Sequence, residues 1–230
     1  TSRAYLSIAR KNGKTALIAA LLLCHIIGCE AIQNSQIVSG ARSREQAALV
    51  YKLAEKMINL NPDLQGLARC VPSSKQIIGL KKNVEFRALS AEAGTAHGLS
   101  PVLAIIDEAG QVKGAHDAFI EAIETAQGAY DAALLIVMST QAATDGDLFS
   151  IWLDDAIKSK DPHIVVHHYC APENCELDDV EAWKAANPAL GTVRSLPEFE
   201  QFAEQAKRMP SAEQSFRWLY LNQRVSADSP

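Results

Sequence analysis

The stretch Leu6-Ser7-Ile8-Ala9-Arg10-Lys11-Asn12-Gly13-Lys14-Thr15, which runs into the apolar segment 16–32, decides the fold. A short strand-like run enters a polar turn that closes on Gly-Lys-Thr, and a helical pattern follows at once. This is the layout of a phosphate-binding loop, in which backbone amides and the dipole of the following helix favour an anion. Lys14 would then contact the β- and γ-phosphates of a nucleotide, and the Thr15 hydroxyl would bind Mg²⁺.

The loop matches the full phosphate-loop pattern only in part. Ile8 stands where that pattern has a glycine, five residues before Gly13. Gly-Lys-Thr also occurs by chance, as a helix N-terminus with an exposed lysine. These residues alone leave both interpretations open, and a second site has to decide between them.

The second site is the stretch 101–109, Pro-Val-Leu-Ala-Ile-Ile-Asp-Glu-Ala. Its apolar run predicts a fully buried strand of the kind found in parallel sheets. Ligands of such sheets bind beyond the carboxyl ends of the strands, so Asp107 is placed to hold Mg²⁺ and Glu108 to orient a water molecule against the γ-phosphate. The alternative is a strand followed by an acidic helix cap. Together with the Gly-Lys-Thr turn upstream, the pair favours a nucleotide site.

A third predicted strand, residues 132–138, ends in Ser139-Thr140-Gln141. Hydroxyl and amide groups at the end of another buried strand would lie beside the same crevice and suit sensing of the γ-phosphate or of the attacking water. A simple polar turn is the alternative for these three residues alone. In combination with the other two motifs, the sensor interpretation is preferred.

These three motifs, Ala-Arg-Lys-Asn-Gly-Lys-Thr, Ile-Ile-Asp-Glu-Ala and Ser-Thr-Gln-Ala, resemble the ATPase motifs of the terminase large subunit of tailed bacteriophages. A degenerate loop with an arginine before Lys-Asn-Gly-Lys is typical of that family, so Ile8 no longer counts against the nucleotide interpretation. The segments 181–191 and 218–222 also resemble the part of these proteins that follows the ATPase core.

We therefore predict an α/β fold, a three-layer P-loop NTPase of the ASCE/RecA-like kind with a mainly parallel sheet flanked by helices. The predicted domains are a P-loop ATPase core, residues 1–170, and a small helical linker or lid subdomain, residues 171–230. The resemblance also implies that a nuclease domain follows residue 230, outside this chain.

The resemblance implies Mg²⁺-dependent hydrolysis of ATP that drives double-stranded DNA into a prohead. Implied partners are the portal protein, the small terminase subunit and further copies of the chain in a ring, in the cytoplasm of an infected bacterium and without a membrane. Catalysis is assigned to Glu108, Lys14 and Arg10, and Mg²⁺ binding to Thr15 and Asp107. The residues predicted to bind ATP are Arg10, Lys11, Asn12, Gly13, Lys14, Thr15, Ser139, Thr140 and Gln141.

Two other function classes stay open from the sequence. One is a helicase-like nucleic-acid translocase of another P-loop family, and the other is a nucleotide-binding module without turnover. The net charge of −5 argues against a broad basic nucleic-acid surface, but it does not exclude DNA held by a few lysines inside a ring.

The remaining pattern predicts further elements. The apolar segment 16–32 is expected to be a buried helix, with Cys24 and Cys29 as reduced core residues. Ser43 followed by Gln46 predicts a helix cap. Further strands are predicted over 35–39, 75–79, 84–89 and 163–169, and further helices over 43–60, 115–126, 146–158, 177–186, 196–209 and 212–221.

Overall fold

The computed structural model describes residues 2–91 and 98–225, and these residues form eight strands and seven α-helices. The strands are β1 (Arg3–Ser7), β2 (Gln36–Ala41), β3 (Ala68–Val71), β4 (Gln76–Gly79), β5 (Val84–Ser90), β6 (Pro101–Asp107), β7 (Leu134–Ser139) and β8 (Ile164–His168). The helices are α1 (Lys14–Ile26), α2 (Arg44–Leu60), α3 (Ala118–Ala126), α4 (Leu148–Lys158), α5 (Val180–Ala186), α6 (Leu196–Arg208) and α7 (Pro210–Leu219).

The strands form one sheet with the order β3-β4-β5-β2-β6-β7-β1-β8. Strand β2 pairs in parallel with both β5 and β6, whereas β3, β4 and β5 form an antiparallel edge. Backbone hydrogen bonds join like ends of β7 and β1, from Leu135 N to Ser2 O and from Ile8 N to Ser139 O, so these strands also run parallel. The predicted α/β fold with a mainly parallel sheet is confirmed, while β3 is a strand that the sequence did not predict.

The backbone divides into two compact units, which are described separately. The first unit comprises Thr1–Ala4, Lys14–Asp107 and Asp117–Val137, and the second comprises Tyr5–Gly13, Glu108–His116 and Met138–Pro230. The division falls within β1 and β7 and directly after Gly13 and Asp107. The predicted domain boundary at residue 170 stays a prediction.

In the first unit, α1 and α2 pack against each other and α2 lies on β2 and β5. The core contains the fully buried side chains of Tyr51, Ile77, Phe86 and Leu103. The predicted cap of α2 is present, because the Ser43 side chain accepts a hydrogen bond of 3.2 Å from Gln46 N.

Helix α1 is shorter and more exposed than the sequence predicted. It ends at Ile26 instead of residue 32, and Leu17 and Leu21 are 51% and 37% exposed. The segment is apolar on all sides, but only the face with residues such as Ile18 and Leu22 packs inward. A segment that is apolar on all sides does not indicate which face of the helix packs inward, so the sequence-based prediction overestimated the burial of α1.

The two cysteines of this segment also differ from the sequence-based prediction. The apolar pattern places Cys24 and Cys29 in the core, but both are exposed free thiols. Cys24 lies on the outward face of α1, and Cys29 follows the end of the helix. The prediction that they are core residues is therefore wrong.

In the second unit, α5, α6 and α7 enclose a core of their own. Trp183, Phe199 and Phe216 are all at least 98% buried, with ring centroids 5.0 Å apart for Trp183 and Phe199 and 5.4 Å apart for Phe199 and Phe216. The aromatic residues that the sequence concentrates after residue 180 therefore form the centre of a helical cluster. Among the described residues, no helix combines the length and apolarity that crossing a membrane requires.

Candidate nucleotide site

Residues 8–13 connect β1 to α1 and are the loop that the sequence predicts to bind phosphate. Lys11 and Gly13 both have positive φ angles, 62° and 79°. A Cβ atom on Gly13 would meet nothing within 4 Å, so the glycine is required by its backbone conformation and not by crowding. Left-handed residues in a turn aim successive backbone amides to one side, as an anion site requires.

The first unit holds the residues that follow this loop and the end of β6. Lys14 and Thr15 form the first turn of α1, and the side chain of Lys14 is mostly buried. Asp107 ends β6, a strand in which every residue is buried. The apolar run predicted for this strand is confirmed, and it places an acidic side chain at the carboxyl end of a parallel strand.

Glu108, the first residue of the second unit after β6, combines two unfavourable features. Its backbone is left-handed, with φ 57° and ψ 37°, which costs a non-glycine residue about 1–2 kcal/mol. Its Oε2 atom is buried and has no hydrogen-bond partner among the described residues. Strained backbone and an unsatisfied buried carboxylate oxygen together make Glu108 a candidate functional residue.

In the second unit, backbone hydrogen bonds join Glu108 to the end of β7 and the end of β7 to the start of the loop. Glu108 N donates to Met138 O at 2.9 Å, and Ile8 N donates to Ser139 O at 3.0 Å. Ser139 Oγ accepts from Gly110 N at 2.8 Å. Within the second unit, hydrogen bonds therefore join the residues after β6, the end of β7 and the start of the loop, which only the tertiary fold can bring about.

The turn after Glu108 is tightly packed. A Cβ atom on Gly110 would lie 2.3 Å from Thr140 O, so only glycine fits there.

Further along, the Asp147 carboxylate accepts hydrogen bonds from Gly114 N at 2.9 Å and from Thr144 N at 3.0 Å. Burial alone would raise the pKa of Asp147, but these hydrogen bonds lower it below its ordinary value.

Gln141 is bonded to the segment that follows α7. Its side chain donates to Asn222 O at 2.7 Å and accepts from Arg224 Nε at 2.8 Å. Its backbone N donates to Asn222 Oδ1 at 2.7 Å, and its carbonyl accepts from Trp218 Nε1 at 2.7 Å. The sequence placed this side chain beside the nucleotide, and the structure adds that its polar atoms tie the end of β7 to residues 218–224.

The side chain of Asn12 is likewise used inside the second unit. Its Nδ2 donates to Asn187 Oδ1 at 2.9 Å, and its Oδ1 accepts from Ala189 N at 3.2 Å. Asn12 would therefore contact a ligand through its backbone amide and not through its side chain. Arg10 and Lys11 are exposed, and Lys11 forms an ion pair of 3.5 Å with Glu198.

Three residues of this arrangement were not assigned roles by the sequence analysis. Asn187 and Asn222 lie within the two segments that carried the later part of the family resemblance, so that resemblance was the available signal. Arg194 lies outside both segments, and nothing in its sequence neighbourhood indicated that a charged side chain would be buried, with 4% exposure.

Comparisons with known proteins agree with this geometry. The family described as "Terminase large subunit, ATPase domain" matches residues 1–150. The terminase large subunit of Enterobacteria phage HK97 is 64% identical over all 230 residues, which cover 46% of that protein. The chain thus spans about half the length of this curated relative.

Solved structures give the same result. The crystal structure of the HK97 large terminase superimposes with a TM-score of 0.95 at 63% identity, covering 100% of this chain and 48% of that one. The Thermus phage P74-26 large terminase ATPase domain has a TM-score of 0.67 at 19% identity, covering 97% of this chain and 88% of that one, and supports the fold alone. From its sequence, its fold and these matches, the chain belongs to the family of terminase large subunit ATPase domains.

Proposed function

We propose that this chain is the ATP-hydrolysing motor domain of a viral DNA-packaging enzyme and that hydrolysis drives double-stranded DNA into a prohead. The observation that carries the proposal is Glu108, which follows β6 with a strained backbone and donates its N–H to the end of β7. Its buried Oε2 has no hydrogen-bond partner among the residues that the structure describes. Such a carboxylate is suited to hold and deprotonate a water molecule.

Phosphate binding is assigned to the loop and the start of α1. The backbone amides of residues 10–15 and the ammonium of Lys14 would hold the β- and γ-phosphates of ATP. The left-handed conformations of Lys11 and Gly13 and the N-terminus of a 13-residue helix support this assignment. A large terminase from a thermophilic bacteriophage, at 12% identity, was solved in complex with ADP.

Magnesium binding is assigned to the Thr15 hydroxyl and the Asp107 carboxylate. Both are hard oxygen donors, which suit Mg²⁺, and Asp107 stands 8% exposed at the end of a buried strand. Bound Mg²⁺ would neutralise charge on the β- and γ-phosphates.

In the proposed reaction, the oxygen of a water molecule attacks the γ-phosphorus and ADP leaves. Glu108 accepts a proton from that water, while Lys14 and the loop amides stabilise charge on the phosphate oxygens. Arg10, which is exposed in the loop, is assigned to the γ-phosphate. Ser139, Thr140 and Gln141 couple hydrolysis to movement, and the bonds of Gln141 to residues 222 and 224 support a path to the end of the chain.

The proposed partners follow from the family. Several copies would form a ring on the portal protein of the prohead and would receive DNA with the small terminase subunit, in the cytoplasm of the infected bacterium. Residues 171–230 are proposed to act as a linker or lid subdomain. The aromatic core of α5, α6 and α7 supports a subdomain that keeps its own packing.

The test is Mg-ATP turnover by the full-length protein, with and without linear double-stranded DNA and proheads. Glu108→Gln should retain ATP affinity and lose at least about 100-fold in turnover, because only the proton acceptor is removed. Lys14→Ala should lose ATP affinity as well. DNA and proheads should stimulate turnover by the unaltered protein and leave both variants inactive.

Two matched variants control for the loss of a charge elsewhere. Glu200→Gln and Lys52→Ala change exposed side chains on α6 and α2, and both should keep normal turnover. If Glu108→Gln hydrolyses ATP as fast as Glu200→Gln, the active site is wrongly assigned. If turnover depends on Glu108 but no DNA enters proheads, the chain is an ATPase with another task.

A further inference from the structure

A network of long-range hydrogen bonds lies behind the phosphate loop within the second unit. Asn187, at the end of α5, is fully buried, and its Oδ1 accepts from both Asn12 Nδ2, at 2.9 Å, and Arg194 Nη1, at 2.7 Å. Its Nδ2 donates to Trp183 O and Tyr220 O, at 2.9 and 2.7 Å. The amide of Asn187 is therefore fixed by the helical cluster and presents its oxygen to the loop.

Arg194 adds a buried positive charge to this network. Its guanidinium carbon lies 4.6 Å from the ring centroid of Phe199 and 4.8 Å from that of Tyr220, and Nη1 also contacts Arg10 O at 3.3 Å. Its Nε and Nη2 atoms have no hydrogen-bond partner among the described residues. Burial lowers the pKa of this guanidinium.

A buried cation held by two aromatic rings is costly as a purely structural device. Apolar residues of the same volume would fill the space without the desolvation penalty. The guanidinium supplies a hydrogen bond and a positive charge at the Arg10 carbonyl, which an apolar side chain cannot supply. That carbonyl belongs to the same peptide group as the Lys11 amide, one of the groups proposed to hold phosphate.

We propose that Asn187 and Arg194 are positioning residues for ATP binding, which clamp the phosphate loop from behind and polarise its amides toward the phosphates. Donation to Arg10 O draws electron density from the Arg10–Lys11 peptide and makes the Lys11 N–H a stronger donor. The Asn187 bond to Asn12 holds the residue between the two left-handed positions, Lys11 and Gly13. The loop is thus shaped before ATP arrives, which lowers the cost of binding.

The inference rests on the proposed phosphate-binding role of the loop. Its test is steady-state ATP hydrolysis and binding of a fluorescent ADP by full-length variants, together with their thermal unfolding midpoints. Arg194→Met removes the charge and keeps the length, and Arg194→Lys keeps the charge but loses the planar fork. Arg194→Met should raise KM for ATP and the Kd for ADP about tenfold, with a smaller change in kcat, and Arg194→Lys should raise both by less because it keeps the charge. Arg208→Met, at an exposed arginine of α6, should change neither.

Asn12→Ala tests the clamp from the loop side without altering the helical core. Asn12→Ala and Arg194→Met act on the same loop, so the double variant should raise KM by less than the product of the single effects. If Arg194→Met fails to fold, Asn12→Ala alone should still raise KM about fivefold. Unchanged KM in Asn12→Ala overturns the inference, and so does a lower unfolding midpoint of Arg194→Met with unchanged nucleotide affinity.

Lys14→Ala separates this inference from the function on which it rests. If Lys14→Ala loses ATP affinity while Arg194→Met and Asn12→Ala keep it, the proposed positioning role of Asn187 and Arg194 is wrong, but the phosphate-binding role of the loop is supported. If Lys14→Ala keeps normal affinity, the assignment of the loop itself fails.

Discussion

The most demanding prediction concerns Asn222, a fully buried residue with a left-handed backbone, φ 55°. Its Nδ2 donates to Ser7 Oγ at 2.9 Å and to Tyr169 O at 2.8 Å, and its Oδ1 accepts from Gln141 N at 2.7 Å. These bonds join the ends of β1 and β7 and the residue that follows β8 to the segment after α7. We expect Asn222→Ala to be among the most destabilising single substitutions in the second unit.

The magnitude follows from the bonds and the backbone. Three side-chain hydrogen bonds are lost at about 1 kcal/mol each, and their partners stay buried. Alanine in a left-handed conformation costs about 1 kcal/mol more, because it lacks the local hydrogen bonding that lets asparagine adopt this region. The free energy of unfolding should therefore fall by about 4 kcal/mol, a large part of the stability of a typical domain.

The assay is urea unfolding followed by tryptophan fluorescence. Asn222→Gly removes the bonds without the backbone penalty and should lose about 3 kcal/mol. Asn34→Ala is the matched control, since Asn34 has φ 58° but is exposed, and it should lose only about 1 kcal/mol. If Asn222→Ala loses no more stability than Asn34→Ala, the buried bonds do not stabilise the fold as argued.

Two further predictions concern titration and thiol chemistry. Hydrogen bonds hold the folded-state pKa of Asp147 below its ordinary value of 3.8. The ionised Asp147 side chain therefore stabilises the folded protein at pH values above 3.8, and this stabilisation is lost as the pH falls through the lower folded-state pKa. Asp147→Asn should remove this part of the acid dependence in urea unfolding below about pH 5, and an unchanged profile would contradict it. Burial raises the pKa of Cys170 to about 11, so iodoacetamide at neutral pH should modify Cys24 and Cys29 well before Cys170, as peptide mass spectrometry would measure. Equal rates at the three thiols would count against the burial of Cys170.

The sequence was sufficient for features that depend on neighbouring residues. A polar turn ending in Gly13-Lys14-Thr15, an apolar run ending in Asp107-Glu108 and strands alternating with helices predicted the fold class and three motifs. Each of these signals is local, because strand burial, glycine conformation and helix starts are encoded within a few residues. The cap at Ser43 was predictable for the same reason.

Only the tertiary structure decided which distant residues meet. Asn12 bonds to Asn187, 175 positions away, and Asn222 bonds to Ser7, 215 positions away. The left-handed backbone of Glu108 and the exposure of Cys24 depend in the same way on what packs around them. A one-dimensional pattern records which side chains are apolar or polar, but the face of a helix that is covered and the partner that a buried amide finds are set by the complete three-dimensional packing.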